Sequence, residues 1–138
     1  GITACVEEIE VIATEAINEN VLQGMLQTVQ AQWKEMDFQL KPYKDVKNVW
    51  TIVAVDDVYQ LLDDTMVTVG TILGSRYVGA IRENVEKQHR KLLLLQATLD
   101  QWLECQKTWM YLEPIFAAPD IQRQLPNETM IFKNVTSY

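Results

Sequence analysis

From Gly79 to Glu113 the chain runs without a proline or an internal glycine, and two apolar series interleave along it. Ile81, Gln88, Leu95, Trp102 and Trp109 step by seven; so do Val85, Leu92, Leu99 and Gln106. The two series alternate at 4-3 spacing, the heptad seam of a long helix packed along one side. About thirty residues at 1.5 Å each make a rod of roughly 50 Å. A rod of that kind restricts the fold to helices laid against it. Pro114 and Pro119 follow closely, and a proline has no N–H and a ring in the way of the preceding turn. The long helix is therefore expected over about 79–113, with a fixed corner at Pro114 that Phe116 packs back to lock.

Other segments agree with a mainly α fold. Between Val6 and Met36 only Gly24 interrupts good helix formers, and Leu22, Leu26, Val29, Trp33 and Met36 share one face, which predicts a helix over about 6–36. Cys5, Ile9, Ile12 and Ala16 make a similar stripe shifted by one position. The glutamates at 7, 8, 10, 15 and 19 suit a helix N-terminus and solvent. Phe38, Leu40, Pro42 and Tyr43, then Val49-Trp50-Thr51-Ile52-Val53, read as two strands of a hairpin over about 37–54. Asp56 or Asp57 caps a helix over about 56–73, with Val58, Leu61, Leu62, Met66 and Val69 as its apolar face and Gly74-Ser75 as its stop. Asp120 caps short helices over about 120–136, limited by Pro126. The expected architecture is one segment of long antiparallel helices with one small β-hairpin. Helix should account for roughly 60–75% of residues, far above the usual third.

Charge and composition narrow the function. Hydrophobic residues make up 48% of 138 and the net charge is −7. An acidic domain of this kind is a poor nucleic-acid binder, since affinity there comes from neutralising phosphates. The longest aliphatic run is Leu92 to Leu95, far short of the ~20 residues of a membrane span. Gly1 to Glu10 carries three glutamates and no basic stretch, unlike a secretory signal. Cys5 and Cys105 stand alone, which favours a reducing compartment. The sequons at Asn127 and Asn134 point the other way. Residues 1–75 hold 4 basic and 12 acidic residues, whereas 76–138 hold 8 and 7. Within the second part Arg82, Lys87, Arg90 and Lys91, diluted by Glu83 and Glu86, read as a solvated helix face, or else as a docking patch for an acidic partner.

No reactive constellation emerges. His89 is the single histidine and lies in a run of charges with no nucleophile motif nearby. One His and two distant Cys cannot supply a structural zinc set. Asp56-Asp57 and Asp63-Asp64 are adjacent pairs that diverge by about 100° on a helix, so capping and solvation account for them. Gly70 to Gly74 lacks the Lys-Ser/Thr of a phosphate loop. The aromatics Trp102, Trp109, Tyr111 and Phe116 remain, as an aromatic core seam or a partner groove.

The run Trp102-Leu103-Glu104-Cys105-Gln106-Lys107-Thr108-Trp109-Met110-Tyr111-Leu112-Glu113-Pro114-Ile115-Phe116, with Asp120-Ile121, Gln124-Leu125-Pro126, Glu128 and Phe132, closely resembles the linker of dynein heavy chains. Upstream, Trp33, Leu40-Lys41-Pro42-Tyr43-Lys44, Gln60-Leu61-Leu62-Asp63-Asp64 and Gly74-Ser75-Arg76-Tyr77-Val78 agree in order. Pro114 after Trp-Met-Tyr-Leu-Glu is similar to axonemal rather than cytoplasmic members. The resemblance implies a segment of a mostly helical arm lying across a ring of AAA+ modules, bending and straightening to move microtubules. It implies no catalytic, metal or cofactor residue here, with ATP and magnesium bound elsewhere in the parent motor. Its partners would be the rest of the heavy chain, with microtubules only indirectly, at an axoneme of a cilium or flagellum. Trp102, Trp109, Tyr111, Leu112, Glu113, Pro114, Phe116, Asp120, Leu125 and Pro126 carry the family signature. Heptads alone also permit an unrelated helical scaffold or interaction module.

Overall fold

Residues 1–138 are all described by a computed structural model. Along the chain come α1 (Ile2–Lys34), β1 (Gln39–Pro42), β2 (Trp50–Val53), α2 (Asp56–Gly74), a 3-10 turn (Gly79–Ile81), α3 (Arg82–Ala117), α4 (Pro119–Gln124) and α5 (Pro126–Thr136). Helices account for 78% of residues, and the only sheet is a two-stranded antiparallel hairpin. The helical share exceeds expectation because α1 begins earlier and α3 ends later than the sequence suggested. The fold divides into two compact units: Gly1–Phe38 with Ala54–Gln96, and Gln39–Val53 with Ala97–Tyr138.

The first unit is a helical core. Leu22 and Leu26 of α1, Leu62, Val69 and Ile72 of α2, Val78, and Val85 and Leu92 of α3 form one buried cluster. The α2 residues Val58, Leu62, Thr65, Val69 and Ile72 follow the 4-3 rhythm that keeps one helical face inward. Thr65 is the polar member, and its hydroxyl oxygen accepts the indole N–H of Trp33 at 2.9 Å. The pairing satisfies a hydroxyl that is itself buried. Asp56 and Asp57 do not cap α2; they lie inside its first turn, where their charge complements the helix dipole, and Val55 takes the cap position. Gly74 likewise remains helical, and the stop comes as Ser75 turns to extended backbone. The glutamates of α1 fall beyond its first turn, since the helix starts at Ile2.

The second unit holds the hairpin, the C-terminal half of α3, α4 and α5. Leu40 pairs with Ile52 and Pro42 with Trp50. The connecting turn places Lys44 (φ 47°) and Asn48 (φ 62°) in left-handed backbone. Pro114 does not end the long helix. It sits inside α3, which continues to Ala117, so the expected corner at Pro114 is absent. The helix stops four residues on, where Ala118 is extended (ψ 126°) ahead of Pro119. A residue before proline is pushed out of helical geometry, and that placement uses the rule. Pro119 and Pro126 each open a helix, at the position where the missing N–H costs nothing. Asp120 is therefore a first-turn residue of α4 rather than its cap.

Candidate functional site

The second unit is organised around α3 between Leu99 and Phe116. Its first fixing point is Gln106, which the heptad places on the inward seam. The Ile52 amide donates to Gln106 Oε1 at 2.8 Å, and Gln106 Nε2 donates to the Ile52 carbonyl at 3.0 Å. A primary amide offers the same donor and acceptor as a peptide group, so Gln106 acts as a neighbouring strand for the open side of β2. A leucine at this seam position could satisfy neither group.

One turn further on, Trp109 is half-buried at the centre of an aromatic cluster. Tyr43, just beyond β1, meets it edge-on, with ring centroids 4.9 Å apart at 75°. Phe132 of α5 stacks on its other side at 5.8 Å and 11°. Phe116 in turn stacks on Phe132 at 4.9 Å and 18°. These are the edge-to-face and near-parallel geometries that aromatic rings favour. The indole N–H donates to Thr136 Oγ1 at 2.9 Å, and that hydroxyl donates onward to the Phe132 carbonyl at 3.0 Å.

Pro114 is the second fixing point. Without an N–H it leaves the Met110 carbonyl, four residues back, without its helical donor. The Tyr43 hydroxyl lies 3.4 Å from that carbonyl and 3.4 Å from Glu113 Oε2. Lys44 Nζ stands 3.9 Å from the same carboxylate oxygen. The adjoining Tyr43 hydroxyl, and to a lesser degree Glu113, raises the Lys44 pKa above its ordinary 10.5.

The signature residues thus separate. Trp109, Leu112, Glu113 and Phe116 come together, facing the hairpin or α5. Trp102 does not join a buried seam; it is 53% exposed and lines an open hollow with Trp50 and Tyr138. Tyr111 points to solvent. Asp120 pairs with Arg123 on the surface, Pro126 opens α5, and Leu125 contributes its carbonyl to the first turn of α5 through Thr129. Tyr43, Thr136 and Phe132 are neighbours of α3 that no heptad reveals, since each reaches it from another element. Between α3 and α5 a groove of about 540 Å³ is lined by Cys105, Trp109, Leu112, Phe116, Ile131 and Phe132 among others.

These side chains hold elements in place. No three His, Cys, Asp or Glu residues gather as a metal cage, and no helix is long and apolar enough to cross a membrane.

Residues 1–138 match the family model described as dynein heavy chain, N-terminal region 2. The chain is 42% identical over 129 residues to human dynein axonemal heavy chain 6, covering 94% of this chain. It is 37% identical over all 138 residues to mouse dynein axonemal heavy chain 3, and 32% identical over 135 residues to rat dynein axonemal heavy chain 12, covering 98%. It spans only 3% of the length of the first two relatives and 4% of the third.

Proposed function

The chain belongs to the dynein heavy chain family, in its N-terminal region 2, and from that premise we infer that it is a non-catalytic lever segment of an axonemal motor. It transmits ATP-driven changes of an AAA+ ring into movement along microtubules. ATP and magnesium act in the parent chain, outside these residues, and the direct partners are the remaining parts of that heavy chain. The site of action is the axoneme of a cilium or flagellum. Family membership sets aside the unrelated scaffold that heptads alone would permit.

One observation carries the mechanical reading. α3 remains helical from Arg82 to Ala117 although Pro114 interrupts its hydrogen bonding, and the hairpin meets it at both Gln106 and the proline site. A segment that only needed to fold could end at the proline. A segment that bears load gains from a helix kept continuous and braced, because force passes through a hydrogen-bonded backbone only as far as that backbone is intact.

The test is Phe116→Ala in a full-length motor. Removing the ring loosens the stack on Phe132 while leaving any nucleotide site untouched. Slower microtubule gliding with basal ATP hydrolysis retained supports the lever. Unchanged gliding velocity in a stably folded variant overturns it.

A further inference from the structure

One face of α1 changes sign along its length. Toward its C-terminus that face forms one wall of a groove of about 410 Å³, and α3 forms the other. Val29 and Trp33 of α1 and Leu92 and Leu95 of α3 give the groove an apolar floor. Lys34 and Lys91 are its charged members, and no carboxylate lines it. Neither lysine is ion-paired within the chain.

The N-terminal part of the same face is acidic. At 100° per residue, Glu8, Glu15 and Glu19 lie within about 20° of Leu26, which lines the groove, and Val11 and Ile12 flank them. All five are exposed. Ile2, Val6, Ile9, Ile17 and Val21 lie on other faces of the helix and take no part. From Gly1 to Trp33 there are five glutamates and no lysine or arginine, so acid and base are segregated to opposite ends of one face.

A face of that kind complements itself when two copies meet antiparallel about a two-fold axis, because each end then faces the opposite end of its partner. A pair centred near Val21 sets Glu8 of one copy opposite Lys34 of the other, and Ile12 opposite Gln30 over the apolar floor. The symmetry repeats both contacts. The overlap runs along about 40 Å of α1 at 1.5 Å per residue. A parallel pair would instead set glutamate against glutamate.

We propose that this face is a self-association surface: Glu8, Glu15 and Glu19 of one copy of the chain dock against Lys34 and Lys91 of a second, reciprocally. The surface lies wholly within the first unit and does not depend on the lever reading.

Sedimentation of the 138-residue chain over a concentration series should show a monomer–dimer equilibrium. Lys34→Glu with Lys91→Glu should weaken the dimer at least ~tenfold, and Glu8→Lys, Glu15→Lys and Glu19→Lys together should do the same. All five positions are exposed, and unchanged circular dichroism checks that each variant folds. Mixed in equal amounts, the two variants should dimerise again, since each brings the charge the other has lost. In the parent chain a carbodiimide should join Glu8 to Lys34. These residues lie about 40 Å apart along one helix, so the link can form only between copies. A monomer at every concentration, a dimer that survives either set of reversals, folded variants that stay apart when mixed, or a dimer without the Glu8–Lys34 link overturns the proposal.

Discussion

The Tyr43 hydroxyl lies 3.4 Å from the Met110 carbonyl, the one acceptor in this stretch of α3 that Pro114 deprives of an N–H. A residue 67 positions away in sequence thus supplies what the helix cannot supply for itself. The interaction is long for a hydrogen bond, yet it falls at the place where an interior proline costs most.

Tyr43→Phe removes the donor and keeps the ring against Trp109. It should lower stability by about 0.5–1 kcal/mol, the low end for a neutral hydrogen bond. In a Pro114→Ala background the alanine N–H can serve Met110 directly, and the same tyrosine change should then cost less. Urea denaturation of the four proteins gives the coupling. Identical costs in both backgrounds would detach Tyr43 from the proline.

The heptad and the proline tell opposite stories about what sequence alone can disclose. Val85, Leu92 and Leu99 face inward as their spacing demands, because helical periodicity is a local property that packing merely ratifies. Pro114 reads as a stop for the same local reason, yet α3 runs on to Ala117, and the hydroxyl beside the orphaned Met110 carbonyl belongs to a tyrosine that no local pattern connects to it. Trp102 fits the same seven-residue series as Trp109 yet stays half in solvent, since a single helix surface does not reveal which of its turns will be covered. Gln106 is the converse case. A polar residue on an apolar seam is a visible irregularity, but its partner at Ile52 follows only from the hairpin's position.

Gln106 should be the most sensitive polar position of the second unit. Gln106→Leu keeps the volume and strands both the N–H and the carbonyl of Ile52. The expected loss is about 1–3 kcal/mol. Amide exchange at Ile52 should accelerate well beyond the global change. Protection of Ile52 that persists in the variant would show that another group satisfies it.

Trp33 and Trp102 each fall on an apolar helical face in the sequence, yet they should behave differently. Trp33 packs against the core and donates to buried Thr65, so Trp33→Ala should cost about 3 kcal/mol through lost packing and an unpaired hydroxyl. Trp102→Ala should cost less than about 1 kcal/mol, as a half-exposed surface change does. Denaturation midpoints of both variants decide the matter. Equal losses would place Trp102 in a buried setting that this structure lacks.

Phe132 lies between Trp109 and Phe116 and stacks on both, which makes it the joint through which α5 is held to α3. Phe132→Ala should cost about 3 kcal/mol, toward the lower end for a phenylalanine because the ring is only half-buried. Phe116→Ala should cost less, since that ring has a single aromatic partner in the cluster. Their combination separates stacking from area. If the Phe116–Phe132 pair contributes beyond the surface it covers, the double variant should be less destabilised than the sum of the singles by about 0.5–1.5 kcal/mol. Phe132→Leu retains most of the apolar volume and none of the π-face, so it should recover part of the loss but not the coupling. Strict additivity in the cycle would mean that the rings serve only as bulk, and that any large side chain could join α5 to the rod.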